Sequence, residues 1–307
     1  MHIGAQQVSS RTLIAASYYG AINVGATLTF FNFDTFATLA KAKVLAVETR
    51  EDAQVAADVI AFTAKQGMKP RVAVRLTLVT LDRDVAVGNY SIVVTSDQRA
   101  DEIIVRNCYF HDAMAQILLL RGAKKGLVEN NLLVRSAGPA VDIGFSVYWW
   151  EGPAPSHMVI RNNTILRNPV FLATPRNPAC SICVHAGTMH PVAARLMHYI
   201  TIDRNTIVDS ASTAIYIRNA DHVWVRNNTI INPIWSNNPL GRPVDGSTAA
   251  IDVDTVTSLA ISGNQMSFRQ SYCNASLKIG NDVQRARVAG IQAVQTDVRP
   301  HRRARAA

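Results

Sequence analysis

Six segments in the second half of the chain share one alternation of apolar and polar positions. They read IIVRNCYF, GLVENNLL, MVIRNNTI, ITIDRNTI, VWVRNNTI and LAISGNQM. Each is an apolar pair, two polar positions, and then a fixed position held by Cys108, Asn131, Asn163, Asn205, Asn228 and Asn264. The fixed positions are separated by 23, 32, 42, 23 and 36 residues, so 23 is the base period and the longer spacings carry insertions of 9, 19 and 13. A further strand follows in each unit, read as ILLLRG, AVDIGF, SICVHA, AIYIRN, AIDVDT and SLKIGN. Every unit therefore holds at least two short strands separated by Gly, Asn, Ser or Pro turns.

One such unit cannot bury its own apolar side chains, and stacking the units solves this. Coiling them gives each strand parallel neighbours at ~4.8 Å. The expected fold is all-β: a right-handed parallel β-helix over residues 101–284. Val105, Val128, Ile160, Ile202, Val225 and Ile261 are expected to stack inside it. The recurrent Asn is expected at a corner, where it tolerates left-handed backbone and bonds its counterpart in the next unit. A leucine-rich repeat needs a regular period with helical segments, and a propeller blade needs four strands; neither fits. Residues 1–100 show no 23-residue period. TLTFFNF, AKVLAVE, RVAVRLTLV and YSIVVTS read as strands, with a helical stretch near Glu51 to Lys65, so a separate β-rich barrel or cap is expected there.

Composition refines this picture. The chain has 307 residues, of which 48% are hydrophobic and 17% charged, enough for a large core. Its net charge of +9 suggests nucleic acid until its placement is considered. From Arg285 onward there are six arginines against Asp297, so residues 285–307 supply +5 of the total and read as a basic, disordered tail. Nucleic acid is not the expected partner. No segment reaches the ~18 uninterrupted apolar residues of a membrane span. The N-terminus lacks a basic start followed by an apolar run and does not read as a signal peptide. Cys180 and Cys183 form a lone C-x-x-C without the second pair a zinc site needs, and read as ordinary strand cysteines.

Candidate chemistry lies on the second strand of each unit. Leu118, Val141, Ile182, Ile215, Ile251 and Leu277 align as an inward column. The residues after them point outward, and the resulting ribbon carries Asp142, Asp252, Asp254, Arg121, His185, Tyr216 and Arg218, read either as a solvated polar face or as a site. Asp252 and Asp254 have backbones about 6.6–6.8 Å apart, inside the ~6.5–9.5 Å of inverting carboxylate pairs. Asp142 lies three units from Asp252, roughly 14 Å. An insertion after Asp142, GFSVYWWEGPAPS, brings Trp149, Trp150 and Glu151 together. Exposed aromatics stack on sugar rings, and an adjacent carboxylate can act as acid or base; packing of the insertion onto the stack is the competing reading for the two tryptophans.

The stretch AQILLLRGAKKGLVENNLL followed by YWWEGPAPSHMVIRNNTI resembles the β-helix part of glycoside hydrolase family 110, and VGATLTFFNFDTF is similar to that family's barrel. Trp149, Glu151 and Asn162-Asn163 match its motif in spacing. The resemblance implies an inverting exo-α-galactosidase for α-1,3-linked galactose, secreted or periplasmic, without cofactor or metal. It makes a galactose-ended glycan the expected partner, Asp142 and Glu151 the acidic candidates, with Asp252 and Asp254 as alternatives, and Trp149 the sugar platform. The sequence departs from the family where Phe145 holds an acidic position and Ala115-Gln116 replaces Arg-Gly. A non-catalytic glycan-binding scaffold is the second reading. A polysaccharide lyase or epimerase, with Arg121, His185 and Arg218 neutralising a uronate, is the third.

Overall fold

The apolar pairs at the head of each repeat segment pair with one another in register. Val128 is opposite Val105 and Ile160, Ile202 is opposite Ile160 and Val225, and Ile261 is opposite Val225. All but Val105 are fully buried, with exposures of 0–1%. The computed structural model describes residues 1–18, 20–69, 72–97, 99–168, 180–188, 191–235, 249–269 and 272–295. Within them the chain is nearly all β, with a single helix.

The N-terminal strands are β1 (His2–Ser9), β2 (Thr12–Ser17), β3 (Thr27–Phe31), β4 (Thr38–Arg50), β5 (Arg75–Leu81) and β6 (Ser91–Thr95). They close an antiparallel barrel in the order β1-β2-β5-β4-β3-β6. Alternation divides its side chains between two cores. Leu13, Leu28, Phe30, Val79 and Val93 fill the interior. Ile3, Ile14, Ile92 and Val94 face outward and meet the helix α1 (Ala53–Lys65) through Val59. Asp52 caps that helix, its carboxylate accepting from Val55 N at 3.1 Å. The sequence pattern revealed β3 to β6 and the helix. It did not reveal β1 and β2, whose glutamines, serines and small residues weaken the alternation.

Beyond the barrel the chain visits three parallel sheets in turn. The first contains β7 (Ile103–Arg106), β10 (Gly126–Glu129), β13 (Ser156–Arg161), β16 (Met197–Asp203), β19 (Ala220–Arg226), β22 (Leu259–Ser262) and β25 (Ala286–Ala289). The second contains β8 (Tyr109–Ala113), β11 (Leu132–Ser136), β14 (Thr164–Leu166), β17 (Thr206–Val208), β20 (Thr229–Ile231), β23 (Gln265–Phe268) and β26 (Gln292–Gln295). The third contains β9 (Leu118–Leu120), β12 (Val141–Ser146), β15 (Cys180–Gly187), β18 (Thr213–Ile217), β21 (Ala249–Val253) and β24 (Ala275–Ile279). Each unit thus has three strands. What reads in sequence as one strand, such as MVIRNNTI, is two, broken at a corner.

That corner is built by the recurrent Asn and the residue before it. Asn131, Asn163, Asn205, Asn228 and Asn264 are at most 2% exposed. Each amide Nδ2 donates to the next Oδ1 along the series, at 2.9–3.0 Å. Each Oδ1 from Asn131 onward also accepts the backbone N–H of the fixed position below it. The left-handed backbone falls one residue earlier than expected, at Asn107, Asn130, Asn162, Arg204, Asn227 and Gly263, with φ of 52–62°. The ladder residue is freed from that strain and spends its amide on hydrogen bonds.

Two further differences concern the C-terminal end and the cysteines. The sequence boundary at 284 falls inside the sheets, because Ala286–Ala289 pairs with β22 and Gln292–Gln295 with β23. Residues 296–307, the rest of the expected tail, lie outside the described residues. Cys180 and Cys183, read as ordinary unpaired cysteines, are joined by a disulfide within β15. Among the described residues no helix is long and apolar enough to cross a membrane.

The barrel meets the parallel sheets through β12 and the loop after it. Phe145, Val147 and Trp150 belong to the same apolar cluster as Ile3, Phe36 and Val59. Phe145 packs edge-on against Phe36, with ring centroids 5.6 Å apart. This contact covers β12, all six of whose residues are buried.

Candidate functional site

The third sheet carries the column read from sequence. Asp142 stands opposite Leu119 and Cys183, Cys183 opposite Tyr216, and Tyr216 opposite Asp252. The expectation of a solvated face does not hold there. Asp142 and Asp252 are both 0% exposed and His185 4%. Polar residues alternate with apolar ones on this ribbon because the charges neutralise one another.

Asp142 is held from both sides. Arg121 donates from Nη1 to Oδ1 at 3.4 Å and from Nη2 to Oδ2 at 3.3 Å. His185 Nε2 stands 3.2 Å from Oδ1, at ion-pair distance though off the hydrogen-bond line. Gly144, between Arg121 and His185, makes this possible. A Cβ there would lie 2.0 Å from the His185 carbonyl oxygen and 3.6 Å from the Arg121 guanidinium. Burial works against the Asp142 carboxylate, but the nearby Arg121 and His185 and the Arg121 hydrogen bonds outweigh it. Its pKa lies well below the ordinary carboxylate range.

Arg121 also reaches the insertion. Its Nε stands 3.7 Å from Oε2 of Glu151, whose side chain is 35% exposed. The Glu151 backbone pairs with Ser146 through two hydrogen bonds, which pins the loop to the end of β12. Trp149 and Trp150 divide their roles. Trp150 is 2% exposed and part of the barrel contact, the packing role that is the competing reading for the insertion's tryptophans rather than the substrate-binding one. Trp149 is half-buried; Lys69 Nζ lies 4.1 Å from its ring centroid, and Tyr148 meets it edge-on.

The second cluster is separate. Arg218 donates to Asp252 Oδ1 at 2.7 Å and lies 4.2 Å over the Tyr216 ring, and Lys278 Nζ is 3.6 Å from Asp252 Oδ2. Asp254, the expected alternative acid beside Asp252, faces a turn. Its Oδ1 accepts the backbone N–H groups of Thr255 at 2.7 Å and Asp282 at 3.0 Å, the work of a turn-capping residue. The structure therefore brings Arg121, Asp142, Glu151 and His185 together, with Trp149 on the same loop. Tyr216, Arg218 and Asp252 form a group of their own. Among the described residues no group of three or more His, Cys, Asp or Glu is arranged to hold a metal ion.

Sequence reasoning did not anticipate a cavity of about 390 Å³ between the barrel and the parallel sheets. Thr29, Phe31 and Lys41 line it from the barrel, and Phe145, Arg195 and His198 from the other side, with Arg99 at the junction. None of the residues selected from sequence lines it. Its walls come from strands far apart in the chain, and only the departure at Phe145 marked one of them.

No family model matches the chain. It is 26% identical over 195 residues to alpha-1,3-galactosidase A of Bacteroides fragilis. That alignment takes in 61% of this chain and 32% of the relative, so the chain spans well under half the length of the protein it matches. The likeness is distant and galactosidase-like.

Proposed function

We propose that the chain is a glycoside hydrolase of the α-galactosidase type, built as a right-handed parallel β-helix with an N-terminal barrel over residues 1–100. The coil reading is supported by three sheets visited in turn and by an Asn ladder running through five units. In this reading the coil extends from residue 101 through β26. The functional reading rests on one observation: a single guanidinium, that of Arg121, contacts both Asp142 and Glu151. Two carboxylates on one guanidinium are close enough to flank a glycosidic bond together. Their environments differ. Asp142 is held ionised by Arg121 and His185, and Glu151 is the member with solvent access. Glu151 is the acid facing the leaving oxygen, and Trp149 beside it stacks on the sugar. Galactose-ended glycans, α-1,3-linked as in the relative's name, are the proposed substrates.

The test is incubation with an α-1,3-linked galactose disaccharide, followed by proton NMR. The reading expects β-galactose as the first product, the mark of inversion. First release of α-galactose would overturn the inverting assignment.

A second reading, a glycan-binding coil without hydrolysis, is favoured by Phe145. The residue at the family's acidic position packs on Phe36 instead of facing solvent. Sugar binding without any galactose release would select it. The lyase reading loses support because Arg121, His185 and Arg218 are engaged with Asp142 and Asp252.

A further inference from the structure

The cavity between the barrel and the parallel sheets is a separate feature from the Arg121 cluster, and its chemistry is one-sided. Lys41, Arg99, Arg195 and His198 line it, and no Asp or Glu is among its lining residues. Arg195 is matched by Asp282, its Nη2 donating to Oδ1 at 2.5 Å. Among the described residues Arg99 has no carboxylate partner. Its Nη2 donates to the Ala123 carbonyl and to Ser156 Oγ, and its Nε is buried without an acceptor. Thr29, 4% exposed, likewise has a buried hydroxyl with no partner. A buried donor without an acceptor costs about 1–3 kcal/mol, so unmatched groups collected around one cavity indicate something that completes them. Burial also lowers the Arg99 pKa, with no opposing carboxylate acting on it. The remaining wall is apolar and aromatic, with Phe31, Phe36 and Phe145. At about 390 Å³ the space falls in the ~300–1,000 Å³ range of small-molecule sites.

We propose that this cavity binds a carboxylate-bearing sugar, with Arg99 and Lys41 receiving the carboxylate, Thr29 a hydroxyl, and the phenylalanine wall the apolar face of the ring. A neutral sugar leaves the unmatched cations as they are, and a bare inorganic anion leaves the aromatic wall unused. The site stands whether or not Glu151 is an acid catalyst.

The experiment is isothermal titration of the full chain with galacturonate, galactose and sulfate. Galacturonate is expected to bind with Kd tighter than about 1 mM, and at least tenfold tighter than either galactose or sulfate. Lys41→Gln changes an exposed side chain and is expected to weaken galacturonate about tenfold without altering the melting temperature. Arg99→Gln is expected to abolish binding; should its lost bonds to Ala123 and Ser156 unfold the protein, Lys41→Gln decides alone. Equal affinity for galactose and galacturonate, equal affinity for sulfate, or wild-type binding in Lys41→Gln would each overturn the proposal, as would the absence of heat with galacturonate.

Discussion

Asn163 donates from its side-chain amide to the Oδ1 of Asn205 at 2.9 Å, across 42 residues of sequence. The insertion of 19 residues over the base period leaves the pairing of the flanking strands in register: Ile160 is still opposite Ile202, and Thr164 opposite Thr206. The ladder fixes the corner.

Removing a rung should therefore cost more than one hydrogen bond. Asn205 donates to Ile160 O at 2.9 Å and to Asn228 Oδ1 at 3.0 Å, and accepts from both Asn163 N and Asn163 Nδ2. Asn205→Ala leaves these buried groups unmatched, at about 1–3 kcal/mol each with partial relaxation. The expected loss is about 3 kcal/mol or more, read as a drop in the urea midpoint at unchanged slope.

Trp150 should behave as a core residue. Trp150→Ala opens a cavity where barrel and sheets meet, with an expected loss of about 3–5 kcal/mol. Trp150→Phe should cost less, because the buried indole N–H has no partner to lose. Trp149→Ala should change stability little and weaken sugar binding. Equal melting temperatures for Trp149→Ala and Trp150→Ala would contradict this division.

The register was legible in the sequence and the environment was not. Asp142, Cys183, Tyr216 and Asp252 line up as their spacing indicates, because a parallel stack propagates pairing from one unit to the next. Burial does not follow from period-two alternation. A polar position on an outer face reads the same whether solvated or matched by Arg121 and His185. Three-residue strands such as Thr164–Leu166 are too short to leave a pattern of their own. The capping role of Asp254 depends on the Asp282 amide, 28 residues away, and a window on either residue cannot show it. The tail strand Ala286–Ala289 is exposed throughout and carries Arg287, so composition suggested disorder where the edge of a sheet supplies pairing.

Asp142 should couple folding to acid. Its folded pKa lies below the ~3.9 of an unfolded aspartate. The ionised form therefore stabilises the fold above about pH 4, and this contribution is lost as pH falls through the folded value. Asp142→Asn leaves Arg121 and His185 without their counter-charge and should cost about 3–5 kcal/mol near neutrality. It should also flatten the acid limb of stability against pH. An acid limb as steep as that of wild type would show that the charge is not held as described.

Glu151, steadied by Arg121, is the carboxylate proposed to work on the substrate. Glu151→Gln keeps the shape of the side chain while removing its charge and titratable proton. The most direct measurement is kcat/KM for galactose release from an α-1,3-linked galactose disaccharide, wild type against Glu151→Gln, with melting temperatures recorded beside it. The account predicts galactose release by the wild type, a loss of about 10²–10⁴-fold in the variant, and little change in melting temperature. Wild-type kcat/KM in Glu151→Gln would contradict it.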